Sequence, residues 1–314
     1  MEAPLEPVPV RVLYVMGTSR SGTTLLGEVL GQVPGFAFGG EFRWLWDQAA
    51  SAGACGCGSA LPQCPVWPRV LAETGELFPE EDYLPVTSRL MAAAVGRKHT
   101  WERTLGMLLN AWVKRTGPAA AGQYGQRLVA TYSSFLSQVG QEWVVDSSSE
   151  PSDAALLSGL ASVDLRVVHI VRDPRGVVYS HKRAENSTLW SSPDLRSVYV
   201  AGAWLASNIM AQLVLRRLGP ARSLQIRYED LLVDPEGTLR RVLGLVGAGL
   251  PDGLITDGTV KLGTTHSAAG NPRRFRTGEV ELVEDLSWQS GLSPSQRHLI
   301  QALCVPLMRA YGYR

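Results

Sequence analysis

Residues Gly17 to Thr24 read G-T-S-R-S-G-T-T, the spacing of a phosphate-binding glycine loop in which Thr23 stands where nucleoside triphosphatases carry lysine. Glycines at both ends let the backbone curl until successive N–H groups point at phosphate oxygens, and a helix starting behind the loop adds its positive end. Without the lysine the loop lacks the point charge that holds a β/γ-phosphate pair. Arg20 is the side chain within it able to supply charge instead. A strand-to-helix glycine turn with no ligand is the alternative reading. Val171 to Ser180, V-R-D-P-R-G-V-V-Y-S, encodes a second anion pocket: Arg172 ends an apolar run and Ser180 follows eight positions later, inside a helix opened by Pro174. An ion-pair cluster of Arg172, Asp173 and Arg175 capping that helix competes with this reading.

These residues need a scaffold that brings strand ends together. Val10 to Met16 is an apolar run rich in branched and aromatic residues, and the glycine loop and the helical pattern LLGEVLGQV follow it. Trp143 to Asp146, Leu165 to Val171 and Ser223 to Tyr228 are further strand candidates, and prolines at 151 and 174 mark helix starts. Strands alternating with helices predict an α/β fold, P-loop-like and three-layered, with a central parallel sheet and helices on both faces. One domain over residues 1–314 is expected, with a helical insertion over about 42–141 and a possible lid over about 186–196. A helix from Pro235 to Val246, an irregular Gly, Thr and Arg-rich stretch, and a last helix over about 293–310 complete the chain.

With 45% apolar and 19% charged residues the chain can bury a sizeable core. A formal net charge of +1 gives no global steering toward nucleic acid, so any anion site must be built locally. No run approaches about 20 unbroken apolar residues, so no membrane span is expected. The N-terminus is acidic and proline-rich and lacks a leader pattern, which points to the cytoplasm.

Together the two anion motifs resemble the 5'-phosphosulfate and 3'-phosphate motifs of the PAPS-dependent sulfotransferases. IRYEDLLVDP, Ile226 to Pro235, is similar to that family's tyrosine-glutamate-aspartate segment. AGNPRRFRTG, Ala269 to Gly278, with Trp288 beyond it, resembles the C-terminal cofactor loop of its bacterial carbohydrate-type branch. The resemblance covers Val12 to about Trp288. It implies an enzyme that moves a sulfuryl group from PAPS to a hydroxyl or amine of a small-molecule, carbohydrate or lipid acceptor and releases PAP.

The resemblance also implies roles for individual residues. Arg20, Ser21, Gly22, Thr23 and Thr24 would hold the 5'-phosphosulfate, Arg172 and Ser180 the 3'-phosphate, and Tyr228 the adenine. Arg274 would close over the nucleotide, with Arg273 and Arg276 as solvated neighbours. Glu41, in F-G-G-E-F-R-W-L-W, matches the acidic residue that this branch places after the first helix and would be the base, with Arg20 assisting; Trp44 and Trp46 would wall the acceptor pocket. A surface pair of Glu41 with Arg43 is the competing reading. Sulfuryl transfer requires no metal in principle. The chain departs from the family where Asp146-Ser147-Ser148 runs into Ser149 instead of lysine, leaving the leaving phosphate's counter-charge to another group. Asp146 is a second candidate base or, more simply, a helix cap.

Cys55, Cys57 and Cys64 crowd one loop, open to three readings: a zinc site, a local disulfide, or free thiols. A zinc site would need a fourth ligand, with His99 or Cys304 as the candidates considered. His169 reads as core, His181 as helix surface, and His266 as a reserve base. Two rivals to sulfuryl transfer are a P-loop-type small-molecule kinase and a nucleotide-binding module without catalysis. Acceptor identity and oligomeric state have no signature in this sequence.

Overall fold

The computed structural model describes residues 8–79, 82–97, 101–108, 118–184 and 193–314. Five parallel strands form the main sheet in the order β2-β3-β1-β4-β5. They are β1 (Val10–Met16), β2 (Phe36–Gly40), β3 (Trp143–Ser149), β4 (Val163–Val171) and β5 (Ser223–Arg227). β1 holds the centre because it is apolar on both faces. Side chains alternate along a strand, so Val12, Tyr14 and Met16 enter one buried cluster and Leu13 and Val15 the other.

On the face of Leu13 and Val15 lie α1 (Thr23–Leu30), α10 (Tyr228–Val233) and α11 (Pro235–Gly244). The opposite face packs against α6 (Pro118–Val139), whose Tyr124, Tyr132 and Phe135 are buried, and α7 (Pro151–Leu157). This is the expected three-layer α/β arrangement. Between β2 and β3 come α2 (Leu45–Ala50), α3 (Trp67–Leu77), α4 (Tyr83–Ala94) and α5 (Trp101–Leu108), ahead of α6. Phe42 joins this region to the sheet: its ring meets Tyr132 at 4.8 Å, while Trp67 stacks on Phe135 at 5.0 Å.

Three elements differ from the sequence reading. β2 has no strand signature of its own, since FAFGG carries no β-branched residue, and its pairing with β3, Phe36 opposite Trp143, makes it a strand. Tyr228 opens α10 instead of closing a strand. The stretch read as irregular contains an antiparallel sheet of β6 (Ile255–Thr256), β7 (Thr259–Leu262) and β8 (Gly278–Glu281).

A third cluster joins α8 (Pro174–Ala184), α9 (Pro193–Leu218) and α13 (Pro294–Ala310) through Val177, Trp204 and Met308; the short α12 (Trp288–Gly291) lies beside it. From Asp194 onward α9 has the length and mean hydropathy, 1.5, of a membrane-crossing helix by those criteria alone. Counting unbroken apolar residues overlooks it because Asn208 and Gln212 interrupt the run. Here Trp204, Ala211 and Val214 are buried, and Asn208 Oδ1 lies 2.9 Å from Nε2 of the core residue His169. Most of the lid expected over 186–196 lies outside the described residues, and Pro193 already begins α9.

Candidate active site

All five parallel strands deliver residues to one cleft of about 780 Å³. β1 leads into Ser19, Arg20 and Gly22, β2 into Glu41, and β3 ends in Ser148 and Ser149; β4 leads into Arg172 and β5 into Tyr228. Open parallel sheets bind ligands beyond the carboxyl ends of their strands, where helix N-termini gather.

The glycine loop is shaped for this place. Gly17 N donates to Ser149 O at 3.0 Å, fastening the loop's start to β3, and Ser21 N donates to Thr18 O at 3.0 Å. Arg20 and Gly22 take left-handed φ values of 69° and 99°, and α1 begins at Thr23. Thr23 and Thr24 line the cleft with Arg20 and Gly22. Ser21 does not: its hydroxyl donates to Thr18 O at 2.6 Å and the residue is fully buried. Its hydroxyl serves the turn.

The second anion motif meets the first directly. Arg20 Nε donates to Ser180 Oγ at 3.0 Å, and Arg172 Nη1 donates to Arg20 O at 3.1 Å. The Arg172 guanidinium also lies over the Tyr228 ring, 4.6 Å from its centroid. The ion-pair cluster weighed against this site is confined to Asp173 and Arg175, whose charges meet at 2.6 Å, while Asp173 Oδ1 accepts from Arg175 N at the start of α8. Arg172 stands outside it.

Glu41 follows β2 at a point where two backbones nearly touch. Gly40 has φ +80°, and a Cβ there would sit 2.4 Å from Ala269 O; Glu41 N donates to that carbonyl at 3.1 Å. The competing surface pair of Glu41 with Arg43 does not form. Arg43 turns inward to Asp153 Oδ2, at 2.6 Å, and to Gly96 O. Among the described residues no hydrogen bond or ion pair holds the Glu41 carboxylate. Burial pushes its pKa up to about 7; the nearby charge of Asp146 adds to the rise, while Arg43 and Arg274 offset part of it. A half-buried carboxylate that titrates near neutrality and borders an arginine-lined cleft is suited to taking a proton.

Several expected residues sit elsewhere. Arg274 does not line the cleft: its guanidinium donates to Gly270 O at 2.6 Å and Ala54 O at 2.9 Å. Arg273 and Arg276 line it, and Arg276 is exposed, as expected of a solvated neighbour. Trp44 borders the cleft, but Trp46 is fully buried against Tyr124, because two residues along a helix turn a side chain to the other side. Asp146 caps no helix and does not line the cleft: its buried carboxylate accepts from Tyr132 Oη at 2.5 Å and from Ser148 N and Oγ at 2.7 and 2.6 Å. His266 faces the cysteine loop, not the cleft. Ser149 lines the cleft with φ +67° and brings no charge. The positive field comes from arginines: among the described residues Arg20, Arg43, Arg172, Arg183, Arg273 and Arg276 line the cleft, against Glu41, Glu150 and Asp285. A chain of net charge +1 has thus concentrated cations at one site.

The family model described as "Sulfotransferase family" matches residues 13–252, which include both anion motifs and Glu41 but end before the Arg273–Arg276 loop. Carbohydrate sulfotransferase 5 of Mus musculus is 27% identical over 171 residues, covering 49% of this chain and 42% of that protein. Carbohydrate sulfotransferase 2 of Homo sapiens is 26% identical over 205 residues, 51% of this chain and 38% of that protein. The chain therefore spans only about two-fifths of the length of these curated relatives. Among solved structures, the sulfotransferase domain of the Synechococcus PCC 7002 olefin synthase superposes with a TM-score of 0.52 at 21% identity, over 96% of this chain and 98% of that one. The sulfotransferase domain from the curacin biosynthetic pathway gives 0.53 at 16% identity, over 98% and 99%. At these identities the two structures agree with this chain in fold.

Proposed function

This chain belongs to the sulfotransferase family, and on that premise we propose that it transfers the sulfuryl group of PAPS to a hydroxyl or amine of a small-molecule, carbohydrate or lipid acceptor, releasing PAP. The observation that carries this reading is the meeting of two anion sites in one cleft, Arg20 with the glycine loop and Arg172 with Ser180, joined by the 3.0 Å contact of Arg20 with Ser180. A nucleotide with phosphate groups on both the 3' and 5' positions uses both sites. ATP has nothing for the second.

In this reading the N–H groups from Arg20 to Thr24 and the positive end of α1 hold the 5'-phosphosulfate. Arg172 and Ser180 hold the 3'-phosphate, and the Tyr228 ring offers a face to the base. The acceptor oxygen or nitrogen attacks sulfur in line with the departing phosphate. A new bond to sulfur forms as the sulfur–oxygen bond to the 5'-phosphate breaks, the electron pair leaves with the phosphate, and the acceptor's proton passes to Glu41. Charge growing on the phosphate is met by the glycine loop and Arg20, with Arg273 and Arg276 supplying cations that the missing lysine at Ser149 does not. Trp44, beside Glu41 on the cleft wall, gives the acceptor an apolar surface.

Thermal shift and calorimetric titration with PAP, AMP and ATP, each with and without magnesium, test the donor half. Stabilisation by PAP without metal is expected; stabilisation by Mg-ATP alone would assign the cleft to a kinase. An acceptor panel with labelled PAPS tests transfer, and PAP binding with no transfer to any acceptor class would leave a nucleotide-binding module.

A further inference from the structure

The cysteine-rich loop meets a fourth group that the chain places some two hundred residues away. Cys55, Cys57, Cys64 and His266 bring one potential ligand atom each to within 4.8 Å of one another. His266 Nδ1 lies 3.3 Å from Cys64 Sγ and 4.0 Å from Cys55 Sγ. Cys304, one candidate fourth ligand, is buried in the α9–α13 cluster instead, its thiol 3.6 Å from Ala201 O; the other, His99, lies outside the described residues. All four cysteines are unbridged.

We infer that Cys55, Cys57, Cys64 and His266 form a closed tetrahedral site for a zinc ion. Three thiolates and an imidazole are the soft and borderline donors that zinc selects, and four protein ligands fill its coordination with no position left for substrate. With Zn–S near 2.3 Å and Zn–N near 2.0–2.1 Å, tetrahedral ligand atoms stand about 3.5–3.8 Å apart, so the widest separation here closes by about 1 Å on binding.

The surrounding backbone is shaped to hold the cluster. Cys55 N donates to Ser59 O at 2.8 Å and Gly58 N to Cys55 O at 2.9 Å, folding the loop back so that Cys55 and Cys57 share a side. Gly56, between them, donates to Ser267 O at 2.9 Å; a Cβ at this position would lie 2.3 Å from Ser267 Oγ and 2.9 Å from Thr265 O, so a larger residue would push His266 away. Val66 N lies 3.5 Å from Cys64 Sγ, and Trp67 Nε1 donates to His266 O at 2.8 Å. Such outer contacts orient the ligands.

The site has a mechanical consequence for the cleft. Next to His266, Ala268 N donates to Gly39 O at 2.9 Å and Ala269 O accepts from Glu41 N, so the ion would fasten the segment that holds Glu41. It also explains the placement of Arg274. Three thiolates with one divalent ion leave a net negative charge, and Arg274 Nη2 donates to Ala54 O, beside Cys55. Zinc, with Arg274, then sets the position from which Arg273 and Arg276 reach the cleft. The site stands independently of which donor or acceptor the cleft takes.

Elemental analysis of the chain purified without chelator is expected to find one zinc per molecule, released to a chromogenic chelator when the thiols are titrated with a mercurial. Exchange into Co2+ is expected to give thiolate charge-transfer and tetrahedral ligand-field bands. Cys57→Ser and His266→Ala are expected to lose the metal; should either fail to fold, the wild-type stoichiometry and cobalt spectrum still decide. The proposal is overturned if the reduced chain takes up neither Zn2+ nor Co2+, if the cobalt spectrum is octahedral, if the folded variants keep full metal content, or if mass spectrometry finds a disulfide among these cysteines in the purified chain.

Discussion

Arg20 Nε and Ser180 Oγ stand 3.0 Å apart although 160 positions separate them in the chain. One residue belongs to the glycine loop after β1 and the other to α8 after β4, and these strands are neighbours in the sheet. Parallel pairing of β1 with β4 is what makes two anion motifs one site.

Replacing Ser180 with Ala, or Arg172 with Ala, removes the proposed contact to the 3'-phosphate together with that residue's hydrogen bond to Arg20. A hydrogen bond to a charged group contributes about 1.5–3 kcal/mol, so PAP affinity is expected to fall roughly ten- to hundredfold. AMP, which lacks that phosphate, is expected to lose less affinity than PAP in both variants. Calorimetric titration of the two nucleotides measures the difference, and equal losses for both would remove the 3'-phosphate from this pocket.

Glu41→Gln is expected to lower turnover about a hundred- to ten-thousandfold while PAP binding persists. As the proposed base, Glu41 would act only after losing its proton, and burial pushes its pKa up to about 7. The rate of the wild-type enzyme should therefore rise with pH through about 7, a limb read from kcat/KM profiles. Full turnover by the Gln variant would exclude Glu41 as the base.

Glu28 on α1 is almost fully buried and lies 3.5 Å from Arg273 Nε, and among the described residues neither carboxylate oxygen accepts a hydrogen bond. Burial raises its pKa from 4.5 to about 7, with Arg273 opposing the rise. Between these values the folded chain holds a proton that the unfolded chain releases, so Glu28 subtracts stability as pH rises from about 4.5 to 7. Glu28→Gln removes that contribution. Urea unfolding at pH 5 and pH 8 should show a smaller loss for the variant than for wild type.

Arg43, on the cleft wall, and Asp153 form a buried pair, 1% and 3% exposed. Asp153→Ala strands a buried guanidinium and is expected to cost about 3–5 kcal/mol in urea unfolding. Replacing both residues with apolar ones of similar volume should recover much of that loss. A double variant no more stable than the single one would argue against a strongly coupled pair.

Much of the scaffold was legible because local patterns carry it. The apolar run of β1, the glycine loop and the prolines opening α7 and α8 each act within a few residues, through backbone freedom and helix N-terminal chemistry. β2 was not legible because Phe36 to Gly40 becomes a strand only when β3 supplies its hydrogen bonds. Nor was the split among Arg273, Arg274 and Arg276: three arginines in four positions look equivalent until Ala54 O and Gly270 O are known to claim the middle one.

By itself the sequence determined the chemistry on offer: two oxyanion cradles, an acidic residue after two glycines, and a thiol-rich loop. Tertiary structure decided which of these groups meet. His266 reaches Cys64, Arg43 abandons Glu41 for Asp153, and Asp146 withdraws to Tyr132 and Ser148, each through contacts between residues far apart in the chain. Residue type sets what a side chain can do within its own reach. Which partner lies within that reach is settled by strand order and packing, and neither is written in any one segment.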